Sequence, residues 1–136
     1  MPQIGFKKQF APMVLSGEKP FTLRALRKDG HDAKAGQTLY MFTGLRTKQC
    51  QRIAEKQCRF AMTIRLLYCW IGIPGFLDLV RPDHLELFSR LDGFENYEAF
   101  CAFHEIKDGM HTRQMRLIAW VTRAELKELL GVEYDT

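Results

Sequence analysis

Glycine residues divide this sequence into short periodic segments. Apolar residues recur at helical spacing up to Leu15 and stop before Gly17, and an alternating segment stops at Gly44. Gly93 and Gly131 each follow a further segment with helical patterning. The sequence therefore predicts a fold built from short helices and short strands.

The predicted helices and strands follow no regular alternation. Strands are expected over residues 20–26, 38–44 and 115–121, with one or two more over residues 49–68 that bend or break near Arg59. Helices are expected over residues 6–15, 81–94, 96–106 and 122–131, with Asn96 as one N-cap and Thr122 and Glu125 forming a capping box. This order indicates an α+β fold, with a bent sheet or small β-barrel and flanking helices.

The length and composition suit one domain. The 136 residues are 46% hydrophobic, which is enough to bury roughly 68% of the unfolded surface in a single domain over residues 1–136. No run approaches the ~18 apolar residues that cross a bilayer, and the N-terminus lacks the apolar core of a signal peptide. We therefore expect a cytoplasmic protein that makes no membrane contact and has no obligate protein partner. The cysteines form no CxxC pair, so free thiols are expected.

Charge is distributed unevenly along the chain. Residues 1–66 carry 13 Lys and Arg against 4 Asp and Glu, whereas residues 67–136 carry 7 against 12. This split predicts a basic face that receives an anionic partner, of which nucleic acid is the commonest. The alternative is a solvated surface on which the two halves of the sequence interleave.

Lys19, Thr22 and Arg24 form a compact group of chemically useful side chains. Thr22 and Arg24 occupy alternate positions of a predicted strand, so both project from one face. Lys19 leads onto the edge of that face, and an ammonium, a hydroxyl and a guanidinium can then converge on one ligand. A lysine acts as a base near neutral pH when burial or neighbouring cations lower its pKa. The alternative is the ordinary polar side of a surface strand.

The pattern GxKxxTxR, preceded by FAPMVLSG and followed by AGQTL, resembles the ASCH domain family of the PUA-like fold group. DGFENYEAF is similar to the stretch that precedes and enters a short helix in that family. The resemblance covers about residues 3–121 and leaves the predicted helix at about 122–131 outside it. It implies a small β-barrel with helices around a cleft that recognises RNA or nucleobases. The family includes RNA-binding modules, single-strand ribonucleases and amidohydrolases of acylated cytidine.

The amidohydrolases of that family use a lysine and a threonine of this motif together with a glutamate near the following helix. The resemblance therefore implies Lys19 as the base and Thr22 as the nucleophile or the group that orients a water molecule. Asp92 lies nearest to the position of the acid, and Glu95 follows it closely. Either carboxyl group can donate the proton to the leaving amine. This chemistry needs no metal and no cofactor.

Basic and aromatic residues suggest a binding surface. Arg46, Lys48 and Arg52 fall on even positions and would line one side of an extended segment, where they would contact phosphates. The aromatic side chains of Tyr40 and Phe42 can stack on unpaired bases or pack in the core.

The histidines make no recognised metal-ligand spacing with the cysteines. Two hypotheses follow from the sequence. The first is a hydrolase of a modified pyrimidine nucleoside or of RNA, with Lys19 and Thr22 at its centre. The second is a non-catalytic RNA-binding module that uses the same cleft.

Overall fold

Two β-sheets form the framework of the chain, and the computed structural model describes residues 2–74 and 77–131. The smaller sheet has the order β1-β3-β4, with β1 parallel to β3 and β4 antiparallel to it. Its strands are β1 (Gln3–Phe6), β3 (Thr38–Thr43) and β4 (Gln51–Gln57).

The larger sheet is antiparallel and has the order β2-β8-β5-β6-β7. Its strands are β2 (Phe21–Arg24), β5 (Phe60–Leu67), β6 (Trp70–Ile73), β7 (Leu77–Leu79) and β8 (Arg113–Ala119). The predicted break near Arg59 is confirmed, because β4 ends at Gln57 and β5 begins at Phe60. Strands β6 and β7 were not predicted from the sequence.

Four α-helices accompany the sheets in the described part of the chain: α1 (Ala11–Ser16), α2 (Pro82–Leu91), α3 (Tyr97–Phe103) and α4 (Arg123–Leu130). The predicted caps are confirmed. The Asn96 side chain accepts a hydrogen bond from the Ala99 N–H at 2.8 Å, and Thr122 and Glu125 form a capping box. No helix among the described residues is long and apolar enough to cross a membrane.

The first predicted helix is wrong over its N-terminal half. Phe6 ends β1, a 3₁₀ turn covers Lys8–Phe10, and α1 begins only at Ala11. The helical spacing of Phe6 and Phe10 has another origin, since both rings are buried in one core cluster, Phe6 from a strand paired in parallel with β3 and Phe10 from the 3₁₀ turn.

The α+β class is confirmed, and of the two predicted forms, a bent sheet or a small β-barrel, a closed barrel is not found among the strands that the structure describes, which form two sheets. Strand β1 borders the smaller sheet and β2 borders the larger one. A side chain bridges these two edges, because Arg24 Nη2 donates to the Gly5 carbonyl at 2.5 Å. We call the region between the two edges the seam.

The core lies in two clusters of buried residues. The larger sheet packs against α2, α3 and α4 around Phe21, Phe88 and Phe100. The smaller cluster contains Val14 and Leu39. Both clusters approach the seam, where aromatic side chains form the walls of a cavity.

Candidate functional site

Lys19 stands between α1 and β2 at one end of the seam. Gly17 ends α1 with a left-handed φ of 86°, a conformation that glycine adopts readily, and the Lys19 N–H then bonds to the Met13 carbonyl at 3.1 Å. On the other side, the Trp120 N–H bonds to the Pro20 carbonyl at 3.1 Å. This turn holds the Lys19 side chain inside the protein, where the residue is 2% exposed.

Asp92 is the partner of the Lys19 side chain. Asp92 is the C-cap of α2, and its N–H bonds to the Phe88 carbonyl at 3.0 Å. Lys19 Nζ donates to the Asp92 carbonyl oxygen at 2.5 Å and to Oδ1 of its carboxylate at 2.6 Å. Seventy-three positions separate the two residues in sequence. The contact therefore depends on the whole fold.

Burial dominates the electrostatics of this pair. The pKa of Lys19 lies below the 10.5 of an ordinary lysine, chiefly because burial penalises the ammonium, and the nearby Arg24 guanidinium lowers it further. The charge of Asp92 and its hydrogen bond oppose the shift but do not reverse it. Lys19 therefore loses its proton more readily than a solvated lysine does, and the resulting neutral amine is the form that acts as a base.

Thr22 and Arg24 line the same cavity from alternate positions of β2. Thr22 is 4% exposed, and its hydroxyl makes no hydrogen bond to any residue that the structure describes. The Arg24 guanidinium lies 5.0 Å from the centre of the Phe6 ring, and its Nε is buried without a partner. Burial also lowers the pKa of Arg24, while Asp92 opposes that shift. The hydroxyl and the Nε–H are thus both uncommitted.

The cavity has a volume of about 140 Å³, and four of its twelve lining residues are phenylalanines. A single water molecule needs about 10–15 Å³ of such space, so the cavity accepts a ligand of ring size. Its polar lining includes Lys19, Thr22, Arg24 and Asp92. Its remaining lining comes from Gly5, Phe6, Lys7, Phe10, Leu23, Phe94, Phe103 and His104.

His104 is a further polar residue of the cavity lining, although nothing in the sequence predicted a role for it. Its Nε2 lies 3.1 Å from Oδ2 of Asp92, and the residue is 6% exposed. His104 shares one face of the predicted helix with Phe100 and Cys101, which places it toward the core but does not identify its partner. The aromatic walls from Phe10, Phe94 and Phe103 were likewise missed, since no local signal brings three separate segments together.

Several predicted site residues lie elsewhere. Glu95 is exposed and does not line the cavity, so among the two candidate acids the structure brings only Asp92 to Lys19. Arg46 and Lys48 are exposed in the turn between β3 and β4, where Arg46 adopts a left-handed φ of 68°. The expectation that they continue one extended face with Arg52 is therefore wrong.

The two predicted stacking residues also lie outside the cavity lining. Strand β3 buries alternate residues, which leaves Tyr40 and Phe42 half-buried on its other face. There the Arg52 guanidinium lies 4.9 Å from the centre of the Tyr40 ring and also pairs with Glu55 at 2.6 Å.

Within the described residues, no group of three His, Cys, Asp or Glu side chains is placed to hold a metal ion. Comparison with family models, with curated proteins and with solved structures gives no match to this chain. The resemblance to the ASCH family therefore depends on the motif residues alone.

Proposed function

We propose that this protein is an ASCH-like, PUA-like amidohydrolase that binds an acylated pyrimidine nucleoside, free or within RNA, and hydrolyses its amide bond. The observation that carries the proposal is the buried Lys19 ammonium at 2.6 Å from Asp92 in a cavity that also contains the unbonded Thr22 hydroxyl. A base, a nucleophile and a carboxylate that can pass a proton to the leaving amine are thus available in one cavity.

Burial penalises the ammonium form of Lys19 and lowers its pKa, which brings the neutral amine within reach. The neutral amine is the base that amide hydrolysis needs. Asp92, which accepts from Lys19 Nζ through Oδ1, can carry the proton onward to the leaving amine.

The reaction begins when the Thr22 oxygen attacks the amide carbonyl carbon and its proton passes to the Lys19 amine. The carbon–nitrogen bond then breaks as the proton of the Lys19 ammonium passes across the hydrogen bond to the Asp92 carboxylate and from there to the departing amine. Lys19 is again a neutral amine, and the acyl group is left as an ester on Thr22. A water molecule then attacks that ester and gives a proton to the Lys19 amine. That proton passes to the Thr22 oxygen as the carboxylic acid leaves.

Arg24 supplies the remaining element of this chemistry. Its buried, unpartnered Nε–H is a donor available to an oxygen of the ligand. A fixed donor directed at the oxygen that gains negative charge in the tetrahedral intermediate lowers the barrier in a site with little water. The flat aromatic walls suit a planar pyrimidine ring.

The test is hydrolysis of an acylated cytidine by the purified protein and by matched variants. Thr22→Val removes the hydroxyl at constant shape, and we expect a loss of about 100-fold or more in kcat/KM. Thr43→Val is the control, because Thr43 is also a buried strand threonine but lies in β3 outside the cavity lining. Equal rates for Thr22→Val and the parent would refute the assignment.

A second pair of variants tests the acid. Asp92→Asn should lose about 100-fold or more, whereas Glu95→Gln should retain the rate of the parent, because Glu95 is exposed and lies outside the cavity lining. The opposite ranking would transfer the role to Glu95.

One observation favours the alternative function, a non-catalytic RNA-binding module or a single-strand ribonuclease. The basic turn that carries Arg46 and Lys48 packs near the seam, since a Cβ placed on Gly5 would lie 3.3 Å from Cβ of Leu45 in that turn. Gly5 lines the cavity. A strand of RNA with one base in the cavity would therefore have basic side chains close to its phosphates.

A further inference from the structure

The Asp92 carboxylate uses both of its oxygens. Oδ1 accepts from Lys19 at 2.6 Å, whereas Oδ2 lies 3.1 Å from Nε2 of His104. The proposed reaction needs only the Lys19 side of this arrangement. His104 is thus a buried titratable group with no part in the proposed proton transfers.

The backbone of His104 is fixed at the end of α3. Its N–H bonds to the Phe100 carbonyl at 3.1 Å, and its own carbonyl accepts from Nη1 of Arg113 at 2.9 Å. These bonds hold the residue at the C-cap independently of what its side chain does.

The imidazole ring lies in an aromatic enclosure. The centres of the Phe94, Phe100 and Phe103 rings are 5.6, 4.7 and 5.1 Å from its own. A phenylalanine would keep an aromatic ring in this space. What distinguishes the histidine is the nitrogen that it presents to Asp92.

We infer that His104 is a positioning residue, which donates from Nε2 to Oδ2 of Asp92 and so keeps Oδ1 directed at Lys19. The inference rests on the proposed function. A carboxyl group held by one donor can still rotate about its terminal bond, whereas donors on separate oxygens fix its plane. A fixed plane keeps Lys19 and Asp92 aligned for the proton transfer, and small misalignments of reacting groups are costly in rate.

Two substitutions separate positioning from packing. His104→Phe keeps the aromatic enclosure filled but removes the donor, and His104→Gln restores a neutral donor. For His104→Phe we expect kcat to fall about tenfold to hundredfold with KM within about twofold of the parent, since a buried oxygen loses its partner while the cavity walls stay in place. His104→Gln should recover most of that loss. His111→Gln is the control, because His111 is exposed and outside the cavity lining.

A second readout does not depend on turnover. In ¹⁵N spectra of the histidine rings, His104 should be the Nε2–H tautomer, because a carboxylate can only accept at this contact. The Nδ1–H tautomer would overturn the inference. Thermal midpoints of the parent, His104→Phe and His104→Gln should all lie well above the assay temperature, so that rate differences do not reflect unfolding.

The outcomes distinguish the two proposals. Absence of hydrolysis by the parent would refute the proposed function, and the role of His104 would fail with it. Hydrolysis that His104→Phe performs as fast as the parent would refute the positioning role alone. A loss in His104→Phe that His104→Gln does not recover would also refute it, because the donor would then not be what matters.

Discussion

Lys19 and Asp92 place opposite charges where each residue is only 2% exposed. Such a pair adds little net stability, because desolvation of both ions offsets their attraction, but removal of one partner leaves the other charge buried and typically costs about 3–5 kcal/mol. A packed apolar pair would give the fold at least as much stability. The retention of two charges here fits a chemical role for the pair.

The lowered pKa of Lys19 makes stability depend on pH with a definite sign. The unfolded chain holds this proton more tightly than the folded one, so stability rises with pH as the pH climbs from the folded pKa toward 10.5. The gain is complete above 10.5 and is lost as the pH falls through the folded value. We expect urea unfolding to show this rise in the parent relative to the double variant Lys19→Met, Asp92→Asn. A relative stability that declines over the same window would contradict it.

At the scale of elements, two helix ends place the side chains of Lys19 and Asp92. Gly17 turns the chain from α1 into β2 at Lys19, and the left-handed Gly93 turns it away from α2 immediately after Asp92. The helix caps and the strand of alternating residues were predictable, because each depends on neighbours in sequence. The contact between Lys19 and Asp92 was expected only from the family resemblance, which left Glu95 as an alternative, and the contact between Asp92 and His104 was not expected, because these contacts join the end of α1 to the ends of α2 and α3.

Gly93→Ala should disturb the site through the backbone. The φ of Gly93 is 101°, and a Cβ there would lie 2.7 Å from Cδ1 of Phe10, a cavity wall. Gly109→Ala is the control, since Gly109 has a φ of 82° with nothing within 4 Å of an added Cβ. Both variants should lose about 1 kcal/mol or more from the strained backbone, and Gly93→Ala should lose at least about 1 kcal/mol beyond its control. Equal losses in the free energy of unfolding in urea would show that the Phe10 ring moves aside without an energetic penalty.

At the scale of the molecule, the edges of the two sheets face each other at the seam, and the described strands do not close into a barrel. The sequence predicted enough strands for a closed barrel, but β1 pairs with β3 and β2 pairs with β8, so their free edges face each other across the cavity. Edge pairing is set by the packing of the whole chain, which no window of sequence contains. The resulting gap admits a ligand where a closed ladder would leave no room.

The basic N-terminal half gives a prediction on RNA. If Arg46 and Lys48 contact phosphates, affinity for a single-stranded RNA should fall as salt rises, and each lost contact should reduce the log–log slope by roughly 0.7. Arg46→Ala and Lys48→Ala should each flatten the slope when binding is followed by fluorescence anisotropy. Glu95→Gln should leave it unchanged. Affinity that is the same in all variants and at all salt concentrations would remove nucleic acid as a partner of this surface.

The proposed reaction passes through an acyl ester on Thr22, and this covalent bond can be observed directly. The protein is mixed with acylated cytidine, quenched in acid within one turnover, digested and mapped by mass spectrometry. We expect the acyl group on the peptide that contains Thr22 in the parent and in Thr43→Val, and no acylated peptide in Thr22→Val. Two results would contradict Thr22 as the nucleophile. One is release of cytidine by the parent with the acyl group on another residue, and the other is undiminished release of cytidine by Thr22→Val.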